Sequence, residues 1–372
     1  MDLKRIVCVV LAALLFPFVH TNAEMTSAKA AVLINGDTGE IIYSYNENEK
    51  LPMASTTKIM TALILCENAD LSEEITVTAD MLKVEGSSMG LLAGDRVTYH
   101  DLLYGMMLAS GNDAANVTAI SIAGSVEKFA EMMNRRAEEL GLKNTHFVTP
   151  SGLDADGHYT TAYDLALLAA FALKNEDFAK AASSKSAVLN YGNPPYRRTL
   201  TNHNKLLSSF EGAIGVKTGF TKKSGRCLVS AAERDGKTAV AVTLNDPDDW
   251  DDHAELLEYG LEQIKQTRYS PPTSCYNVPV IGSADEYIEI FIEPYTVNTL
   301  ETADISCTVR LPHFVYAPVA EGDVIGSAEY RMNEEVIGSV PLTAQRNISA
   351  YTVKPDFLTV FAENIKHILK SI

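Results

Sequence analysis

Cysteine is scarce in this chain, with 5 among 372 residues, and that scarcity removes a disulfide-stapled scaffold from consideration. Cys66, Cys227, Cys275 and Cys307, the four left after the N-terminal segment, are too sparse to form a framework. Cys66 and Cys227 fall in apolar helix and strand patterns, where buried free thiols are expected. Metal-ligand spacing is missing as well: the 8 histidines form no His-x-x-x-His pair and no Cys-x-x-Cys occurs, so neither a metal nor a cofactor is expected. Positive charge is in deficit. With 31 Lys+Arg against 48 Asp+Glu, a formal net charge of -17 repels a phosphate backbone and excludes nucleic acid as a partner. A bilayer-length apolar run is absent from the N-terminus too. Ile6 to Val19 follows Lys4 and Arg5, is interrupted by Pro17 and precedes the small Ala23. It is short for a membrane anchor, so residues 1–23 read as a secretory signal and the mature protein as exported. Removing Asp2, Lys4 and Arg5 with that signal moves the formal charge from -17 to -18.

What the chain does have is length for a large core and two domains. Ala31 to Ile34 and Ile41 to Tyr45, joined across Asp37-Thr38-Gly39, read as a hairpin. Three further strands are predicted far downstream, at Gly215 to Phe220, Arg226 to Ala232 and Lys237 to Leu244, the last two joined by Asp235-Gly236. The middle is helical. Val126 to Leu140 has apolar residues at helical spacing, and Thr161-x-x-Asp164 reads as a capping box before Leu165 to Leu173. Strands at both ends with helices between them predict an α/β (α+β) fold, one antiparallel sheet covered by helices, over residues 24–268.

Near Ser270-Pro271-Pro272 the helical spacing gives way to period-two alternation. Tyr287 to Ile292, Asp304 to Leu311 and Val324 to Tyr330 read as strands of a small all-β domain over 275–350. Residues 355–372 put Phe357, Leu358, Phe361, Ile365, Ile368 and Leu369 on one helical arc opposite Glu363, Lys366 and Lys370. That is the pattern of an amphipathic helix lying on a membrane surface.

Chemistry concentrates in three motifs that occur in one order: Ser55-Thr56-Thr57-Lys58, Ser110-Gly111-Asn112 and Lys217-Thr218-Gly219. Each is weak alone, since Ser125 to Lys128 repeats the first spacing and Lys237-Thr238-Ala239 approximates the third. Context separates them. Ser55 opens the apolar run Lys58 to Leu65, a buried helix, whereas Ser125 sits in a turn before an amphipathic one. A serine hydroxyl becomes nucleophilic only when a base takes its proton, and Lys58, one helical turn along, can be that base if burial or a second cation keeps it neutral. Lys217 is a candidate second cation and, with the Thr218 hydroxyl, a candidate site for a substrate carboxylate; Gly219 leaves room for a substrate backbone. Ser110 can relay a proton to a leaving amine, and the Asn112 amide can hold the acyl side of a substrate.

These residues, with Pro52-Met53-Ala54 before Ser55, Asp113-Ala114-Ala115 after Asn112, Ser151-Gly152-Leu153-Asp154, Asn202 to Leu207 and Gly215 to Thr221, resemble the serine D-alanyl-D-alanine carboxypeptidases, the low-molecular-mass penicillin-binding proteins. Ala317-Pro318-Val319 and Gly322 to Gly326 resemble that family's C-terminal β domain, and the final helix its membrane anchor. The resemblance implies a β-lactamase/transpeptidase-like fold on the outer face of the cytoplasmic membrane. It also implies a peptidoglycan stem peptide as substrate and β-lactam antibiotics as covalent inhibitors. It further implies an acyl-enzyme on Ser55, Lys58 as acylation base, and an oxyanion held by the backbone N–H groups of Ser55 and Phe220. One departure stands out. Family members often carry an arginine near the substrate carboxylate where this chain reads Asp246 to His253, leaving His253 or Arg226 to supply that charge.

Competing readings exist at this level. A class A β-lactamase needs a deacylating glutamate, usually in Glu-x-x-Leu-Asn, and none lies between the second and third motifs. Gly86-Ser87-Ser88-Met89-Gly90 imitates an α/β-hydrolase nucleophile elbow, but the residues after it break helical continuity, so it reads as a loop near the site. Tyr191-Gly192-Asn193 imitates a Tyr-x-Asn motif outside the matching block. An endopeptidase acting on cross-linked peptidoglycan would use the same three motifs, and a wall-binding protein without turnover would keep the same fold.

Overall fold

A computed structural model of the chain describes residues 25–300, 305–332 and 335–351. The signal expected over 1–23 and the amphipathic helix expected over 355–372 lie outside the described residues, among which no helix is long and apolar enough to cross a membrane. The chain divides into two compact units, Met1–Gln263 and Ile264–Ile372.

The strands of the first unit are, in chain order, β1 Ala30–Asn35, β2 Ile41–Tyr45, β3 Glu74–Thr76, β4 Arg96–Thr98, β5 Ser186–Gly192, β6 Pro195–Thr201, β7 Ala213–Thr221, β8 Gly225–Arg234 and β9 Lys237–Leu244. Local chemistry makes the hairpins. Asp235 and Gly236 both take positive φ, 52° and 70°, as a two-residue turn between twisted antiparallel strands requires, and they set Arg234 opposite Lys237. Long-range pairing makes the sheet. β1 pairs with β9, Ala30 opposite Leu244, so the order β2-β1-β9-β8-β7 joins the two ends of the unit and leaves β7 on an edge. The inner strands β1, β9 and β8 read as near-continuous apolar runs because helices cover both faces. Val32 and Ile34 share a core with Leu165 and Ala166 of helix Ala162–Ala172. Leu33, pointing the other way, meets Gly260 of helix Asp249–Gln263, where an added Cβ would stand 3.0 Å from a Leu33 methyl.

Helix Lys58–Asn68 is buried from Lys58 through Leu65. Ile59, Met60, Leu63 and Ile64 each contribute roughly 2 kcal/mol by burial, which anchors a helix whose first residue is a lysine out of water. The rival Ser-x-x-Lys has a plain structural role: Ser125 Oγ accepts the Lys128 backbone N–H at 3.2 Å and caps helix Val126–Glu139. Thr161 caps its helix in the same way, but the expected reciprocal bond is replaced. The Asp164 carboxylate accepts instead from the Asn144 N–H and the Thr145 hydroxyl.

The second unit is all β among its described residues, with strands such as Cys275–Ile281, Tyr287–Phe291 and Val324–Met332. Alternate residues Val278, Val280, Ile288 and Ile290 turn inward to Tyr330, whose ring stacks on Tyr295 at 4.2 Å. Lys265–Tyr269 pairs with Tyr295–Thr299, so residues 265–268, assigned to the first domain on sequence, are hydrogen-bonded within the second unit.

Candidate active site

The Ser55 turn is tight and unusual. Ala54–Thr57 forms a 3-10 turn directly before the buried helix, and Ala54 enters it at φ 48°, a conformation that costs a non-glycine residue about 1–2 kcal/mol. This turn presents the Ser55 hydroxyl to a cleft of about 460 Å³, lined also by Ser87, Ser110, His203, Thr218, Gly219, Phe220, Arg226, Asp249 and Trp250. Edge strand β7 forms one wall. Gly219 passes so close that an added Cβ would lie 3.0 Å from the Ser55 backbone nitrogen, while the Phe220 ring, 66% exposed, is free to meet a ligand.

Lys58, Asn112 and Lys217 sit behind this cleft and reach it through the serines. Lys58 Nζ lies 2.9 Å from Ser55 Oγ, 2.7 Å from Asn112 Oδ1 and 2.6 Å from the Ser151 carbonyl. The last two accept only, since the Asn112 amide nitrogen donates to the Glu85 carbonyl at 2.7 Å and thereby fixes the oxygen toward Lys58. A neutral amine has two N–H groups and one lone pair. Asn112 and Ser151 take the N–H groups, so the lone pair is left facing Ser55 Oγ. Burial, then the charge of Lys217, drives the Lys58 pKa well below its usual value, only partly opposed by Asp113. Lys217 Nζ donates to Ser110 Oγ at 3.0 Å and to the Thr218 carbonyl at 3.0 Å, and its own burial lowers its pKa to about 7.

The structure thus brings Ser55, Ser110, Thr218, Gly219 and Phe220 to the wall of one cleft with Lys58, Asn112 and Lys217 behind it, and it gives roles to two residues that the sequence showed only as parts of family-like blocks. Ser151 acts through a backbone carbonyl, which no side-chain motif encodes. Asp113 accepts from Ser88 Oγ and from the backbone of Met89, Gly90 and Leu91, so it clamps the loop that carries Ser87 to the cleft. The Gly86 to Gly90 segment is that loop. Tyr191 belongs elsewhere, at the end of β5, donating to the Met89 carbonyl.

His253 is a correction: it cannot supply the charge considered for it. Its ring is fully buried between Ser230 Oγ at 2.5 Å and Thr243 Oγ1 at 2.9 Å, and burial lowers its pKa to about 3. Arg226 is the cation in the cleft wall, held by Asp249 at 2.5 Å and facing the Trp250 ring. Among the described residues no cluster of metal-binding side chains occurs.

A family model for D-alanyl-D-alanine carboxypeptidase matches residues 18–248. The chain belongs to the D-alanyl-D-alanine carboxypeptidase family. A second family model, for the C-terminal domain of penicillin-binding protein 5, matches residues 273–350. D-alanyl-D-alanine carboxypeptidase DacF of Bacillus subtilis is 32% identical over 91% of this chain and 90% of its own length. DacC of Escherichia coli is 31% identical over 88% of this chain and 86% of its own. Among solved structures, DacD of Francisella tularensis superposes with a TM-score of 0.63 at 26% identity, covering 87% of this chain and 94% of that one. The Streptomyces K15 DD-transpeptidase gives 0.61 at 34% identity, covering 64% of this chain and 98% of that one. The family's β-lactamase/transpeptidase-like fold and its C-terminal β domain therefore extend to this chain.

Proposed function

We propose that this protein is a serine D-alanyl-D-alanine carboxypeptidase that trims the terminal D-alanine from peptidoglycan stem peptides and is acylated by penicillins. One observation carries the mechanism: the buried Lys58 Nζ lies 2.9 Å from Ser55 Oγ with the acceptors Asn112 Oδ1 and Ser151 O on its other sides, so that its neutral form turns the lone pair to the serine. Ser55 Oγ attacks the carbonyl carbon of the penultimate residue as its proton passes to Lys58 Nζ. Charge that develops on the carbonyl oxygen is met by the backbone N–H groups of Ser55 and Phe220. The C–N bond then breaks, Ser110 passes a proton to the leaving amine, and water hydrolyses the ester to free Ser55. Lys217, joined to Ser110, supplies that proton path; Asn112 holds Lys58 in register.

The substrate carboxylate is received by the Thr218 hydroxyl and the Arg226 guanidinium at the cleft wall. Gly219 lets the peptide backbone lie along β7 as an added strand. Export through residues 1–23 and attachment by residues 355–372 would set the enzyme on the outer face of the cytoplasmic membrane, beside its substrate. Truncation before residue 355 should abolish membrane association; an unchanged membrane fraction would refute that part.

Two assays test the activity. Release of D-alanine from a stem pentapeptide and labelling by a fluorescent penicillin should both disappear in Ser55→Ala. Stoichiometric labelling of Ser55→Ala would overturn the assignment of the nucleophile.

A further inference from the structure

Three observations meet behind Ser55. The peptide unit between Ala54 and Ser55 is planar, so the direction of the Ala54 carbonyl fixes the opposite direction of the Ser55 N–H. That carbonyl is held by Thr57, whose hydroxyl donates to Ala54 O at 2.9 Å. A hydroxyl has one proton, so the 2.8 Å contact between Thr57 Oγ1 and His158 Nε2 has the imidazole as donor. His158 Nδ1 is then the acceptor, as its 3.0 Å contact with the Val148 N–H requires. The accounting closes on a single neutral tautomer, and burial, which lowers the His158 pKa to about 4, keeps the ring in it. Gly152 seals the arrangement from the other side, since an added Cβ would stand 1.8 Å from Ala54 O.

We propose that Thr57 and His158 are positioning residues that aim the Ser55 backbone N–H at the oxyanion, by pinning the Ala54 carbonyl on the far side of the same peptide plane. Ala54 does not rest there by preference, because its φ of 48° is disfavoured for an alanine. Without the Thr57 hydroxyl, the Ala54 carbonyl keeps only the main-chain bond of the 3-10 turn, so the plane can tilt and the donor loses its aim. The inference rests on the proposed acyl-enzyme chemistry at Ser55, and misplacement of a reacting group by about 1 Å costs on the order of 100-fold in rate.

The test is saturation kinetics of acylation by a labelled penicillin, which separates the binding constant from the first-order acylation rate. Thr57→Val should lower that rate by about 10- to 100-fold with binding changed less than about twofold. Thr57→Ser, which keeps the hydroxyl, should recover most of it. His158→Gln keeps a donor and an acceptor at similar reach and should also retain most of the rate, whereas His158→Leu should resemble Thr57→Val. In the double variant Thr57→Val with His158→Leu, the loss should be no greater than in Thr57→Val alone. If His158→Leu does not fold, the Val and Ser variants of Thr57 decide the matter. A Thr57→Val protein that acylates at the unsubstituted rate overturns the inference, as does a loss confined to binding or one that multiplies in the double variant. Absence of a Ser55 adduct in the unsubstituted chain removes the acyl-enzyme reading, and the inference with it; a Ser55 adduct formed equally fast by Thr57→Val removes the inference alone.

Discussion

Replacing Lys217 by methionine should destroy activity and stabilise the first unit at neutral pH. Burial lowers the Lys217 pKa from 10.5 to about 7. At about 1.4 kcal/mol per pH unit, the folded state disfavours its ammonium by about 5 kcal/mol. The sign follows from proton counts. Between pH 7 and 10.5 the unfolded chain holds a proton on Lys217 that the folded chain has released, so this residue's penalty is full below pH 7 and vanishes above 10.5. Methionine has similar length and no charge, but it leaves Ser110 Oγ and the Thr218 carbonyl without a donor, a loss of about 1 kcal/mol each. The net gain is therefore about 3 kcal/mol at pH 7, and it should turn into a small loss by pH 10.5. Urea unfolding followed by fluorescence reads the relevant unit, because the chain's 1 tryptophan, Trp250, is at the cleft. A variant less stable than the parent at pH 7, or a difference that stays constant from pH 7 to 10.5, would refute the reasoning. Stability sacrificed at a functional lysine is the expected pattern of an active site.

Lys58→Met removes the base while leaving Ser55 in place, so penicillin acylation measured by stopped-flow should slow by about 100- to 10,000-fold. Arg226→Gln should raise KM about tenfold for a peptide ending in a free carboxylate, with kcat little changed; its Asp249 partner keeps the effect at the low end for a charged hydrogen bond. No change in KM would move carboxylate recognition to Thr218 and Lys217. Gly152→Ala combines a positive φ of 86° with a Cβ 1.8 Å from Ala54 O, so strain and overpacking together should cost about 2–5 kcal/mol. Its melting temperature should fall by on the order of 10 °C, and its acylation rate should fall more steeply than stability alone would explain.

The three motifs, the hairpin turn at Asp235-Gly236, the burial of Lys58 to Leu65 and the all-β character of the second unit's described residues were legible in the sequence by itself, because each depends on residues close together in the chain. Turn chemistry and apolar periodicity act over a few residues, and so does the one-turn reach from Lys58 to Ser55. Tertiary structure alone decided which distant groups complete the site. The Ser151 carbonyl that accepts from Lys58 has no side-chain signature, Asp113 turns its carboxylate on a loop more than twenty residues away, and the half-formed cap at Asp164 reflects partners at Asn144 and Thr145. Burial decided protonation as well: His253 and Arg226 were equally eligible as cations until packing enclosed the imidazole and left the guanidinium at the cleft wall. A charge's identity is written in the chain, whereas its state depends on how much water the fold leaves around it.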